Sequence, residues 1–426
     1  MKKVIVYGAG ISGQGAAEIL KKYGEDVLIY TDADGGFDDL LADAKLLVLS
    51  PGVSPEKAEI IKAKQAGLEV LPEIEIAFNN YKGKIAGITG TNGKTTTTTL
   101  VGEMFKTLGV PTKVAGNIGL SLTKELDGMP SNSWVAAELS SFQLETVKKF
   151  APQISCVLNL TPDHLERHHT LDAYYAAKKK ICLGQSAKQF AVLNYDDKIV
   201  RYWAMDLKSQ ICYFSRQQEL PEGVFIKDKK FFFRWHGKEN VVCNVDEIKL
   251  FGLHNIENVL AAIAVGYLAG CKVENIATVI KNFQPVEHRL EYVRTINGVK
   301  YYNDSKATNT DSAIKALESF PQGHIVLIAG GHDKMTELSD FMECVKKYAD
   351  ILILIGEAKN RFNECAQKVG VKNINLASSF EEAVVLAHKL AKEPQIVLLS
   401  PACSSYDMFN NYEERGLKFK KLVNAL

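Results

Sequence analysis

The stretch GITGTNGKTTTTTL, residues 87–100, carries the glycines, lysine and threonine of a phosphate-binding loop opening into a helix. Its spacing departs from the strict pattern G-x-x-x-x-G-K-[ST], whose first glycine falls on position 88, and position 88 is Ile. The parts that chemistry requires are kept. Gly90 and Gly93 let backbone N–H groups converge on an anion, Lys94 can neutralise β- and γ-phosphate charge, and the Thr95 hydroxyl can sit on Mg²⁺. The run Thr95–Thr99 is an unfavourable helix start, because β-branched residues each lose roughly a few tenths of a kcal/mol relative to Ala. Such disagreement between propensity and expected structure tends to mark function.

Around this loop, short β-branched runs alternate with helical patterns, which predicts parallel sheets covered by helices. VIVYG (4–8), VLIY (27–30) and LLVLS (46–50) form a first set. KIAGITG (84–90), WVAAEL (134–139), SCVLNL (155–160) and FAVLN (190–194) form a second, which the threonine-rich loop opens. Residues 211–251 read as antiparallel hairpins, followed by the helical pattern HNIENVLAAIAVGYLAG. HIVLIAGG (324–331), ILILIG (351–356) and QIVLLS (395–400) form a third set. The expected fold class is therefore α/β with three domains. A Rossmann-like unit spans 1–82, a central phosphate-loop ATPase-type parallel sheet with a small antiparallel section spans 83–286, and a Rossmann-like C-terminal unit spans 287–426.

The bulk numbers agree with this. A chain of 426 residues has room for about three domains. Lys plus Arg (51) nearly cancels Asp plus Glu (50), so no overall field favours nucleic acid or an anionic membrane. The eight cysteines show no C-x-x-C pair and read as reduced thiols. The N-terminus MKKVIVYGAG is too short in apolar residues for a signal peptide, and no apolar run reaches about 18 residues. A cytoplasmic protein without nucleic-acid partner or membrane insertion is expected, and it is read as a monomer.

A second glycine loop, GAGISG, fits G-x-G-x-x-G through Gly8, Gly10 and Gly13, with Asp32 at the end of the following strand. It suits a phosphate facing a helix N-terminus. It leaves open whether the ligand is NAD, another phosphate compound, or none, the turn then serving packing alone. Metal ligands for the first loop are expected at the carboxyl edge of its own sheet, where Glu138, Asp163 and His164 follow strands. Each has a plainer reading: a buried ion pair for Glu138, a helix cap or surface position for His164. All-oxygen ligation of Mg²⁺ is more usual, so the pattern leaves His164 open.

The motifs SPGVSP, GITGTNGKTTTT, GNIG, ELSSFQLE, LNLTPDHLERH, AAKKKI, GLHNIENVLAA, HRLEYV, NDSKATN and LSPACSSYDMFNNYEERG occur in this order along almost the whole chain. Together they resemble the Mur ligase family of ATP-dependent amide ligases, whose own phosphate loop has the form T-G-T-x-G-K-[ST]. The resemblance implies one domain for a UDP-sugar, one for ATP and one for the incoming amino acid. NDSKATN favours the branch that adds D-glutamate to UDP-N-acetylmuramoyl-L-alanine. The implied reaction is phosphorylation of the substrate carboxylate by ATP with two Mg²⁺ ions, then attack by the amino-acid amine.

Residue roles follow from the resemblance alone. ATP is assigned to Gly90, Thr91, Asn92, Gly93, Lys94, Thr95, Thr96, Asn258, Arg289, Asp304 and Lys306. The metals are assigned to Thr95, Glu138, His164 and Lys178, with Lys94, Glu138, His164 and Lys178 carrying the chemistry. Lys178 matches a lysine that CO₂ carbamylates in relatives, although residues alone read Lys178–Lys180 as a solvated helix face. The UDP-sugar is assigned to Gly10, Ser12, Gly13, Thr31, Asn117 and His164, and D-glutamate to Thr308, Lys334, Ser405, Tyr406 and Tyr412. His288 is expected near the reacting phosphate, Asn255 has capping as its plain explanation, and Ser140 receives no role. Asp32 stands where some relatives have Arg, which puts the role of that position in doubt. A sister ligase with another amino acid is the nearest alternative. Folylpolyglutamate synthetases share the ATPase domain but not a separate unit like residues 1–80. A NAD-dependent oxidoreductase leaves everything after residue 87 unexplained, and a non-catalytic nucleotide switch does not need Glu138, His164 and Lys178 together. Ligands spread over three segments imply closure, with joints near 82 and 286.

Overall fold

The computed structural model describes residues 2–117, 121–250, 252–284 and 287–426. The chain forms two compact units, Met1–Ile248 with Ile256–Phe283, and Lys249–Asn255 with Gln284–Leu426. The joint expected at 286 lies outside the described residues.

The first unit holds two sheets. One has four parallel strands in the order Val27–Tyr30, Lys3–Tyr7, Ala44–Leu49, Glu69–Pro72. The other has nine, and at its heart the strand Lys84–Thr89 lies between Trp134–Glu138 and Ile154–Val157, all parallel. Strands buried on both faces explain why these runs are apolar throughout rather than alternating. Because neighbouring parallel strands end on one edge, the segments after Thr89, Glu138 and Val157 emerge side by side. The helix Lys94–Lys106 packs on this sheet, burying Thr96, Thr97, Thr98, Leu100, Val101, Met104 and Phe105. Three of the threonines therefore serve packing, and Thr95 stays only partly buried.

The hairpin reading of 211–251 needs correction. Gln210–Ser215 runs parallel to both Phe190–Asn194 and Gly223–Lys227, and only Gly223–Lys227, Lys230–Trp235 and Lys238–Asn244 form antiparallel pairs. Ser215 and Gly223 are joined by the seven residues 216–222 rather than by a tight turn, and Gln210–Ser215 continues the parallel ladder of Phe190–Asn194, so the expected hairpin between the first two runs does not form. The section extends the central sheet instead of standing apart from it.

The second unit carries a six-stranded sheet in the order Glu291–Ile296, Val299–Asn303, Ile396–Leu399, Ile325–Gly330, Ala349–Ile355, Ile374–Leu376. Its edge is an antiparallel hairpin turned at Asn297-Gly298, both at positive φ (49° and 80°). That dipeptide is the usual sign of such a turn and marks two strands missed in the sequence reading. Asn303, Gly330 and Leu399 end three adjacent strands, so the loops after them share one edge.

Candidate active site

The phosphate loop is shaped by its glycines and stitched to the segment after Ile154–Val157. Gly93 precedes the helix Lys94–Lys106 at φ 86°, and a Cβ there would run into Asn258 Oδ1. Thr91 N donates to Asn159 O (2.9 Å), Asn92 N to Asn159 Oδ1 (2.8 Å), and Thr161 N to the Thr91 hydroxyl (3.0 Å). Asn159 was not singled out from the sequence; its place two residues beyond a strand paired with Lys84–Thr89 is the signal that marks it.

Two lysines converge on this loop. Lys94 Nζ donates to Gly90 O (3.0 Å) and Thr91 O (2.7 Å), and Lys178 Nζ donates to the same Gly90 carbonyl (2.8 Å). Lys178 is 1% exposed on the helix Leu171–Leu183, with its ammonium 4.8 Å from the Tyr174 ring centroid. The solvated-face reading is thus wrong for Lys178. The helix is buried on the side bearing Tyr174, Ala177, Lys178 and Ile181, an i, i+3, i+4, i+7 stripe that admits one lysine. Burial pulls the Lys178 pKa well below the ordinary lysine range, Lys94 lowers it further, and Asp163 and Glu138 oppose the shift.

Glu138 is 2% exposed at the last position of its strand. Its Oε1 accepts from Asn117 Nδ2 (3.2 Å), whereas Oε2 is buried with no hydrogen-bond partner among the described residues. His164 sits at φ 54°, with Nε2 3.6 Å from Asp163 Oδ2, its ring packed on Phe142. Ser140 caps the short helix Ser141–Leu144 reciprocally with Gln143. Glu138 at a strand end, Lys94 at the start of a helix and His164 in the segment after Ile154–Val157 thus lie at one sheet edge, and the helix Leu171–Leu183 brings Lys178 to it.

On the first sheet, Gly8 to Gly13, Thr31 and Ser50 follow the strands Lys3–Tyr7, Val27–Tyr30 and Ala44–Leu49 at one edge. Gly10 and Ser12 open the helix Ile11–Lys22, and a Cβ on Gly13 would strike Gly8 O. The Thr31 hydroxyl donates to Asp34 Oδ2 (2.9 Å). Asp32 accepts from Lys57 Nζ (2.7 Å) and from the Tyr7 hydroxyl, which hold its carboxyl below the usual range. This edge is tied to the segment bearing His164, since Arg167 Nη2 donates to Val53 O (2.9 Å) and His169 Nε2 lies 2.8 Å from Glu56 Oε2.

The second unit carries the remaining candidates except Asn258, most of them at the edge that follows Asn303, Gly330 and Leu399. Lys306 Nζ donates to the Tyr412 hydroxyl (3.0 Å), and Lys306 N to His288 O (3.0 Å); Thr308 N returns to Lys306 O (2.9 Å). His288 Nδ1 lies 2.9 Å from Asn303 Nδ2, an amide donor, which places the imidazole proton on Nε2. Asp304 accepts from Leu290 N (3.2 Å) and Ser400 Oγ (2.8 Å); burial raises its pKa to about 6 against the pull of Arg289. Arg289 Nε is buried without a partner among the described residues. His332 N donates to Ser404 O (3.0 Å), joining the loop of Lys334 to that of Ser405. Ser405 is buried, whereas Tyr406 is 71% exposed. Asn255 lies in the second unit and Asn258 in the first, and both are buried on the helix Leu253–Ala269. The sequence reading missed Arg415. It is wholly buried and donates to Ser305 Oγ and O, Cys403 O and Ser404 O, and it stood unread within the quoted motif NNYEERG.

Comparison with known proteins gives the same picture. Residues 88–266 match the Mur ligase middle domain, and residues 288–403 the Mur ligase, glutamate ligase domain. A UDP-N-acetylmuramoylalanine–D-glutamate ligase of Lachnoclostridium phytofermentans is 41% identical over 448 residues, covering 100% of this chain and 98% of the relative. Among solved structures, a pseudomurein peptide ligase type C from Methanothermus fervidus aligns over 100% of both chains with a TM-score of 0.65 at 19% identity. A MurF ligase from Thermotoga maritima in complex with ADP aligns with a TM-score of 0.62 at 17% identity, covering 91% of this chain and 92% of that one. With the phosphate loop, the buried lysine and the end-to-end match in agreement, the chain belongs to the Mur ligase family.

Proposed function

We propose that the protein is an ATP-dependent ligase that adds D-glutamate to UDP-N-acetylmuramoyl-L-alanine, releasing ADP and phosphate, in cytoplasmic peptidoglycan precursor synthesis. The observation that carries this reading is full-length identity of 41% with a ligase of that name, together with every motif of the phosphate loop and its lysines in place. No helix among the described residues is long and apolar enough to cross a membrane.

The chemistry needs a carboxylate to become a leaving group. A substrate carboxylate oxygen attacks the γ-phosphorus and ADP departs; the D-glutamate amine then attacks the acyl carbon, the phosphate leaves, and the amine proton is lost. Gly90–Gly93 amides and Lys94 bind the transferring phosphoryl group and offset repulsion between the two anions. The buried, unpartnered Glu138 Oε2 fits an Mg²⁺ ligand, with His164, Thr95 and carbamylated Lys178 completing the donors for two ions. Bound Mg²⁺ would supply charge neutralisation at the phosphates. Lys178 suits carbamylation because its depressed pKa favours the neutral amine, the form whose lone pair adds to CO₂. Carbamylation turns a cation into an anion beside the metal site.

Asp304, Lys306, Arg289 and Asn258 would contact the nucleotide. Thr308, Lys334, Ser405, Tyr406 and Tyr412 would hold D-glutamate, whose two carboxylates call for charge-assisted donors. The UDP-sugar would lie along Gly10–Gly13, Thr31, Asn117 and His164, a course supported by the Arg167 and His169 ties between those segments. The domain division at 82 and 286 follows the same reading. A phosphate-release assay across a panel of amino acids tests it. Turnover is expected only with ATP, the UDP-sugar and D-glutamate together, and equal turnover with another amino acid would overturn the assignment.

A further inference from the structure

The segment His332–Glu337 follows the central strand Ile325–Gly330 and carries, side by side, an acid and a base: Asp333 and Lys334. Adjacent opposite charges on a loop ordinarily neutralise each other. Here they are kept apart. Arg361, on the helix Lys359–Val369, grips Asp333 through both oxygens, Nη2 to Oδ1 at 2.6 Å and Nε to Oδ2 at 2.7 Å. A third guanidinium nitrogen, Nη1, donates to Thr336 O at 3.0 Å, and Asp333 Oδ1 also accepts from Met335 N at 2.9 Å. The Asp333 side chain is 11% exposed and that of Arg361 26%, so solvent screens this pair less than a surface pair. Among the described residues Lys334 forms no ion pair.

The guanidinium fork matches a carboxylate two-to-two, and Asp333 has little capacity left for a neighbouring ammonium. His332, next to Asp333, donates from its N to Ser404 O (3.0 Å), which places the Asp333–Lys334 segment beside the segment of Ser405 expected to hold the amino acid. A loose carboxylate at that position would do two things. It would occupy Lys334, and it would repel an incoming dicarboxylate.

We propose that Arg361 is a positioning residue that sets the charge of the amino-acid subsite: by sequestering Asp333 it keeps Lys334 available to a dianionic amino acid. The inference rests on the reading of Lys334 as a carboxylate ligand. Nothing in the strand and helix pattern points to Arg361, since it lies 28 residues from Asp333 and bonds to it only through the fold. The Arg acts on substrate through Asp333 and Lys334 rather than by touching it.

Steady-state kinetics with the full chain tests this. R361Q is expected to raise KM for D-glutamate about 10- to 100-fold with KM for ATP and for the UDP-sugar within about 2-fold. D333N/R361Q, which removes the competing charge as well, is expected to recover most of that loss, whereas a purely structural pair would leave the double variant as impaired as R361Q or worse. K334Q, measured alongside, is expected to raise KM for D-glutamate. An unchanged KM in K334Q removes the ligand reading of Lys334 and the inference with it. A raised KM in K334Q with an unaffected R361Q, or with no recovery in the double variant, overturns the inference alone.

Discussion

Lys178 and Gly90, 88 residues apart, meet in a hydrogen bond of 2.8 Å from ammonium to backbone carbonyl, on an oxygen that Lys94 also engages at 3.0 Å. Burial of Lys178, with the charge of Lys94 beside it, favours loss of a proton from Lys178. A carbamate formed there would exchange with dissolved CO₂. Activity is expected to fall at least about 10-fold on exhaustive removal of CO₂ and to return with bicarbonate. Lys178→Arg, which stays charged and forms no carbamate, is expected to lose on the order of 10²- to 10³-fold in kcat. Full turnover in Lys178→Arg would sink the carbamate reading.

Glu138 tests the metal assignment separately. Its Oε2 is buried and unpartnered among the described residues, so Glu138→Gln removes the charge while keeping the shape and the Asn117 contact at Oε1. The variant should need about 10-fold more Mg²⁺ for half-maximal activity and lose about 10²-fold in kcat. An unchanged Mg²⁺ titration contradicts the assignment.

Gly93→Ala adds one methyl group to a residue at φ 86° whose Cβ would meet the Asn258 carboxamide. The backbone strain alone costs about 1–2 kcal/mol. Either the loop or Asn258 must move, and both are expected to face the nucleotide. ATP affinity by calorimetry should weaken at least about 10-fold. Native affinity in this variant would show that the loop tolerates reshaping.

Arg415 supports the second unit from within. Replacing it by Met leaves the carbonyls of Ser305, Cys403 and Ser404 buried with fewer donors, and destabilisation of about 3–5 kcal/mol is expected in denaturant unfolding. Arg415→Lys keeps a charge but lacks the fork, so it should recover only part of this loss. A midpoint unchanged in Arg415→Met is the contrary outcome.

His168 is buried against Ser141, its Nε2 3.0 Å from the hydroxyl, and burial lowers its pKa from 6.5 to about 4. Between these values the unfolded chain binds the proton and the folded one does not. The stabilisation is therefore full above pH 6.5 and is lost as pH falls toward 4. His168→Asn should flatten the pH dependence of unfolding free energy in that window by up to about one proton. An identical slope in both proteins would assign the acid sensitivity to other groups.

Much of this was legible in the chain itself. Apolar runs of four to six residues bounded by glycine or polar turns marked the central strands, because strands covered on both faces admit little else. The hairpin at Asn297-Gly298 escaped notice because its strand Glu291–Ile296 is only partly buried, and its pattern is correspondingly mixed. Among the threonines, propensity flagged the whole run, but burial assigns Thr96–Thr98 to the core.

What the sequence by itself determined is the local chemistry: loop glycines, a lysine and a hydroxyl at a spacing whose geometry is set within a single turn, and the ordered motifs that place the chain in its family. The tertiary structure alone decided which distant groups share an environment. Lys178 is buried beside Gly90, Asn117 reaches Glu138, Arg415 binds Ser305 across 110 residues, and Arg361 grips Asp333 across 28. The physical reason is that charge and pKa depend on burial and on partners a few ångströms away, and those partners are chosen by strand order and packing rather than by neighbours along the chain.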